Sequence, residues 1–121
     1  MSRELDKFGK FIMKNLRDRA IDNFDKLSMG YWKASSLQPL QSELHQFNEE
    51  QLSIIRRSII SVVDSGLHDF LFAIQEASDL KQGIKIMVDE TDIAQISDGL
   101  HGDLFGWFAK FSKYGEPPER D

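Results

Sequence analysis

The sequence predicts an α+β fold that is mainly helical: two long helices and one short helix, followed by a small C-terminal antiparallel sheet. Three observations lead there. Apolar residues recur at helical spacing from Leu5 to Ala77. A paired helix-start signal stands at Asn48 and Gln51. After Gly83 the pattern shifts to short alternating runs such as Ile84-Lys85-Ile86-Met87-Val88.

The first helix is expected over residues 3–28. Leu5, Phe8, Ile12, Leu16, Ala20, Phe24 and Leu27 form its apolar stripe, Ser2 can cap its start, and Gly30 can end it in a left-handed conformation. Tyr31 and Trp32 then fold back toward the core. A short helix follows, with Ser35 or Ser36 as cap, Pro39 in the first turn, and Leu37, Leu40, Leu44 and Phe47 in phase.

The second long helix starts after Asn48. The Asn48 side chain can accept from the backbone of the first turn, and Gln51 can reach back, while Phe47 and Leu52 sit at staple positions. Its stripe runs through Leu52, Ile55, Ile59, Val62 and Val63, then Phe70, Ile74 and Ala77. Gly66 and Leu67 keep the phase, so one continuous or kinked helix is expected, central to the fold. Beyond it, Ile84–Val88 reads as a strand, Asp89–Asp92 as a turn and Ile93–Ile96 as a second strand. Asp98–Phe105 reads as an irregular helical turn and Trp107–Ser112 as a last strand. Residues 1–121 form a single domain, with 116–121 as a frayed tail.

Composition narrows the function classes. The net charge is −5 and cysteine is absent, which removes disulfides, thiolate metal sites and a cysteine nucleophile. Residues 1–33 carry +3, and residues 34–82 and 83–121 carry −4 each. An acidic balance argues against nucleic acid as a ligand, because such binders replace counterions with basic side chains. No run approaches the ~18 apolar residues of a membrane span. The charged N-terminus lacks the apolar block of a signal peptide, so a cytoplasmic location is expected.

No catalytic frame stands out. His45, His68 and His101 lack a motif of metal-ligand spacing. His68 follows Asp64 by four residues on one helix face, with Asp69 expected to point elsewhere. Gly99, Gly102 and Gly106 match no phosphate loop and read as turn glycines. Lys7, Lys10, Lys14 and Arg17 line one edge of the first helix, as a solvated face balanced by Asp18, Asp22 and Asp25. No cofactor and no metal are expected.

The strongest binding signal lies between Lys85 and Lys110. No lysine or arginine interrupts that stretch, which holds Asp89, Glu90, Asp92, Asp98 and Asp103, with Trp107 just beyond the last of these acids. Carboxylates would speed encounter with a basic partner and the indole would anchor it. Turn chemistry gives the same aspartates a plain structural role.

The run Ile96-Ser97-Asp98-Gly99-Leu100-His101-Gly102-Asp103-Leu104-Phe105-Gly106-Trp107, closing with Lys110-Phe111-Ser112-Lys113-Tyr114-Gly115, resembles the C-terminal segment of small uncharacterised bacterial proteins. His68-Asp69-Phe70-Leu71-Phe72-Ala73 is similar to the same group. In size and acidity the chain resembles immunity proteins of bacterial toxin–immunity systems, including those of contact-dependent inhibition. That resemblance implies a stoichiometric, non-enzymatic inhibitor of a cognate protein toxin, often a nuclease. It transfers no site residues. Two other classes stand beside it: a small enzyme or metal-dependent hydrolase using His101, Asp98 and Asp103 with His68, and a structural or homodimeric protein without a ligand.

Overall fold

The computed structural model describes residues 3–117. The protein is mainly helical, with one small two-stranded antiparallel sheet among the described residues. Helices α1 (Arg3–Ile12) and α2 (Asp18–Ser28) are joined through a π-helical turn, Met13–Arg17, into one rod. After a 3-10 turn, Ser35–Leu37, come α3 (Gln38–Leu44) and the long α4 (Glu49–Asp79). Strands β1 (Met87–Val88) and β2 (Thr91–Asp92) then form a hairpin, and α5 (Ile93–Ile96) and α6 (Leu100–Phe111) close the fold.

The π turn explains the one place where the first helix departs from its predicted stripe. A π turn inserts one residue into the helical register. Before it, Gly9 and Ile12 are buried; within it, Met13 and Arg17; after it, Asp18, Ile21 and Phe24. Leu16, expected inside, is 46% exposed, whereas Arg17, expected on a basic edge, is 1% exposed. Gly30 ends the rod at φ +70°, as expected. The Tyr31 N–H reaches the Lys26 carbonyl at 3.0 Å and the Gly30 N–H the Leu27 carbonyl at 3.1 Å, the two bonds of a Schellman motif. Ser2 lies outside the described residues.

Pro39 sits in the first turn of α3, but neither Ser35 nor Ser36 caps it; the 3-10 turn leads in instead. The buried Gln41 amide accepts from the Trp32 N–H and donates to the Trp32 carbonyl, both at 3.0 Å. One side chain thus ties the loop back to the helices.

The α4 start is the capping box read from the sequence. The Gln51 N–H donates to Asn48 Oδ1 at 2.8 Å, and the Asn48 N–H donates to Gln51 Oε1 at 2.9 Å. Asn48→Ala is therefore expected to lower stability by about 1 kcal/mol, read as a shift in the urea midpoint at constant slope. The helix is continuous, but its buried face differs in part from the predicted stripe. Ile60, Leu67, Leu71, Ile74 and Ala77 are buried, while Val62 and Phe70 are 70% and 52% exposed.

The C-terminal third corrects the predicted sheet. Among the described residues only the hairpin pairs as a sheet, with Met87 opposite Asp92 and Val88 opposite Thr91. Ile93–Ile96 is helical because Asp92 Oδ1 accepts from the Ala94 N–H at 3.1 Å, capping a turn that buries Ile93 and Ala94. Trp107–Phe111 belongs to α6, not to a strand: Leu100, Leu104, Trp107 and Phe108 are all buried at helical spacing. Gly102 and Gly106 lie within this helix with open space around them, so only Gly99, at φ +153°, acts as a turn glycine there. Gln75 locks the junction, donating to the Ala94 carbonyl at 2.9 Å and accepting from the Leu100 N–H at 3.0 Å.

Helix α6 packs against both α4 and α1, and α2 lies along α4. The core joins Ile12 and Met13, Leu67, Leu71 and Ile74, Ile93 and Ala94, and the inner face of α6. No helix among the described residues is long and apolar enough to cross a membrane.

Candidate partner-binding surface

The 84–98 lobe, made of the hairpin, α5 and their flanking residues, packs Ile93 and Ala94 into the core and carries four of the five predicted carboxylates, while Asp103 lies on α6. The two-residue tip of the hairpin is Asp89-Glu90, with φ +48° and +69°. Such a turn follows the twist of the strands but needs left-handed backbone at both positions, which Asn-Gly supplies more cheaply. Lys7 offsets part of that cost. Its Nζ donates to Asp89 Oδ2 at 2.8 Å and Oδ1 at 3.0 Å, tying the tip to α1. The Lys7 hydrogen bond and charge, with Arg3 further off, hold the Asp89 carboxyl below its ordinary range.

The five carboxylates divide by role. Asp89 is held by Lys7, and Asp92 caps α5. Asp103, in the first turn of α6, accepts from the Ser97 hydroxyl, whose oxygen accepts from the Gly99 N–H at 2.9 Å. Glu90 and Asp98 are exposed and take part in no hydrogen bond or ion pair among the described residues.

Trp107 is not on this surface. It is 3% exposed, with its ring edge-on to Phe8 at 5.7 Å. A Cβ at Gly9 would stand 2.5 Å from its Nε1, so the missing side chain of Gly9 is its socket. The exposed apolar side chains of the lobe are instead Ile84, Met87 and Ile96, at 60%, 50% and 43%. Their signal in the sequence was the absence of a partner stripe, since the segment is too short to bury both faces.

Two of the three histidines, His68 and His101, come together without their expected acids, while His45 lies near Gly30. His68 and His101 rings are edge-on at 5.5 Å, and Phe72 stands 5.0 Å from His101. His68 Nδ1 lies 3.3 Å from Asp69, contrary to the expected pairing with Asp64, which is engaged by Arg17. His101 Nδ1 is buried without a hydrogen-bond partner among the described residues. Asp98 and Asp103 bond neither histidine. Among the described residues no group of three or more His, Asp or Glu could hold a metal ion.

The C-terminal segment is fastened to the first rod. Ser112 Oγ donates to Asp18 Oδ1 at 2.7 Å, and the Lys113 N–H donates to Asp18 Oδ2 at 3.0 Å. The Tyr114 hydroxyl bonds Asp22, which Lys113 Nζ also reaches at 3.0 Å. The Tyr114 hydrogen bond, then Lys113, hold the Asp22 carboxyl low, while burial and Asp22 push the Tyr114 phenol up. The acids at the other end of the basic edge are therefore structural, and Lys10 and Lys14 remain exposed on α1 and the π turn. No protein-family model matches this sequence, and no curated protein or solved structure shows detectable similarity to it.

Proposed function

We propose that this protein is a stoichiometric binding protein that neutralises a basic protein toxin, in the manner of an immunity protein, with the 84–98 lobe as its contact surface. The observation that carries this reading is the lobe itself. Ile84, Met87 and Ile96 are exposed in the same segment as Glu90 and Asp98, two exposed carboxylates with no internal partner among the described residues. Exposed apolar side chains contribute affinity, and methionine adapts to irregular surfaces. Uncompensated carboxylates contribute encounter rate and orientation. Two consecutive non-glycine residues at positive φ hold Glu90 at the tip, and such strain recurs where a backbone is shaped for a contact. Asp92 and Asp103 serve the fold, so their contribution to binding is indirect, and Trp107 contributes only by packing.

Such an inhibitor acts by occupancy. The test is to recover the partner from the native organism with the full chain as bait and to titrate its toxicity. Complete neutralisation is expected at one molar equivalent. Neutralisation at a small fraction of an equivalent would mean catalytic turnover and would favour the hydrolase class, with His68 and His101 as its first candidates.

A further inference from the structure

We propose that the aromatic ridge where α4 meets α6 is an arginine-recognition site, which takes a guanidinium of the basic partner. This deepens the toxin-neutralising reading and rests on it for the identity of the partner. Four rings form a row: Phe72 stands 5.0 Å from His101, His101 stands 5.5 Å from His68, and His68 stands 6.5 Å from Phe105. Phe72 and Phe105, at the two ends, are 47% and 62% exposed. On α6 the residues one turn to either side of Phe105, Gly102 and Ala109, are small and exposed, so the ring stands clear of its own helix. The ridge adjoins the 84–98 lobe: a Cβ at Gly99, the residue after Asp98, would lie 3.2 Å from His101 Cε1.

Charge selects the occupant. Asp69 lies three residues before Phe72 on α4 and Glu76 four residues after it, so the exposed ring stands between two carboxylates on one helix face. The Asp69 side chain is 83% exposed, and its one partner among the described residues is His68, at 3.3 Å. Glu76 is exposed, and its carboxylate takes part in no hydrogen bond or ion pair among the described residues. An apolar side chain docked on Phe72 would strip water from these carboxylates and leave them unpaired. A cation suits ring and carboxylates together, because the face of a phenyl ring is negative. Guanidinium suits them better than ammonium: it is planar, stacks on rings, is more weakly hydrated and donates in a fork to a carboxylate. The ridge thus supplies the aromatic anchor that Trp107, buried against Phe8, does not.

An NMR titration of the full chain with capped arginine, N-acetyl-arginine methylamide, tests this without any toxin, so its failure is separate from a failure of the lobe to bind. The ring signals of His68 and His101 report on the ridge, and His45, beside Gly30, is the internal control. Capped arginine is expected to shift His68 and His101 saturably, with a Kd on the order of 10 mM, and to leave His45 unmoved. Capped lysine should bind about threefold more weakly or worse. Phe72→Leu with Phe105→Leu should weaken capped arginine about fivefold, and so should Asp69→Asn with Glu76→Gln. Circular dichroism of both variants should match the parent, since all four side chains are exposed. No saturable shift up to ~100 mM would overturn the assignment, as would undiminished affinity in the leucine variant or equal shifts at His45. Free L-arginine binding about tenfold more tightly than the capped form would also overturn it, because the site would then read a small molecule and not a side chain.

Discussion

Replacing Arg17 with alanine is expected to destabilise the fold by about 3–5 kcal/mol. The Arg17 side chain is 1% exposed. Its Nε and Nη2 donate to the two oxygens of Asp64 at 2.7 and 3.1 Å. Its Nη1 donates to Ser112 Oγ at 2.8 Å and to the Gly115 carbonyl, and its guanidinium lies 4.3 Å over the Phe108 ring. One side chain thus joins the π turn, α4, α6 and the segment after α6. Alanine would leave the Asp64 carboxylate, only 11% exposed, without its counter-charge. The expected loss comes mainly from that stranded charge, not from the strength of the pair. Removing both charges by Arg17→Met with Asp64→Leu should therefore recover much of it. Urea titrations of the two variants decide the matter; a double variant as weak as Arg17→Ala would mean that the ion pair itself is strongly stabilising.

Trp107→Ala is expected to cost about 3–5 kcal/mol, the usual range for truncating a buried tryptophan. The more informative partner is Gly9. In an exposed helix interior Gly→Ala adds about 1 kcal/mol of stability. At Gly9 the new methyl would lie 2.5 Å from Trp107 Cδ1 and Nε1, atoms along the edge of a rigid ring buried in the core. Overpacking of this kind costs about 1–3 kcal/mol, so Gly9→Ala should be destabilising in the parent protein. In the Trp107→Ala background the clash is gone, and the same change should be neutral or stabilising. A thermodynamic cycle over the four proteins measures this reversal. Additive effects would show that the close approach of helix and indole is unimportant.

Local signals were legible and distant packing was not. The Asn48–Gln51 capping box and the left-handed Gly30 are written within a few residues, and both stand as read. The π turn is not written in any periodicity, so Arg17 looked like part of a solvated basic edge when it is the most connected charge in the core. The strand expected at Trp107–Ser112 failed because aromatic residues there serve a helix whose inner face packs on α1 and α4. Trp107 looked like an exposed anchor because its socket, Gly9, lies at the other end of the chain. Around the candidate surface the sequence located the acidic lobe, but it could not separate carboxylates that hold the fold from those left free. For Asp89 that division depends on Lys7, which only the folded chain brings to it; the Asp92 cap on the Ala94 N–H and the Ser97–Asp103 bond are local, and were hidden because 93–96 read as a strand.

The central claim is that the 84–98 lobe binds a basic protein partner, and titration calorimetry with the recovered partner tests it most directly. Two double variants matter, each altering exposed side chains that have no ion-pair partner among the described residues: Glu90→Lys with Asp98→Lys on the lobe, and Lys10→Glu with Lys14→Glu on the opposite-signed edge. Both should fold, since substitutions at such sites usually shift stability by ~0.5 kcal/mol. The lobe variant is expected to weaken binding at least tenfold and to flatten its dependence on salt, because exposed charges act through a screened field. The helix-edge variant should bind as the parent does. Undiminished affinity in the lobe variant together with lost affinity in the helix-edge variant would contradict the account and move the interface to α1.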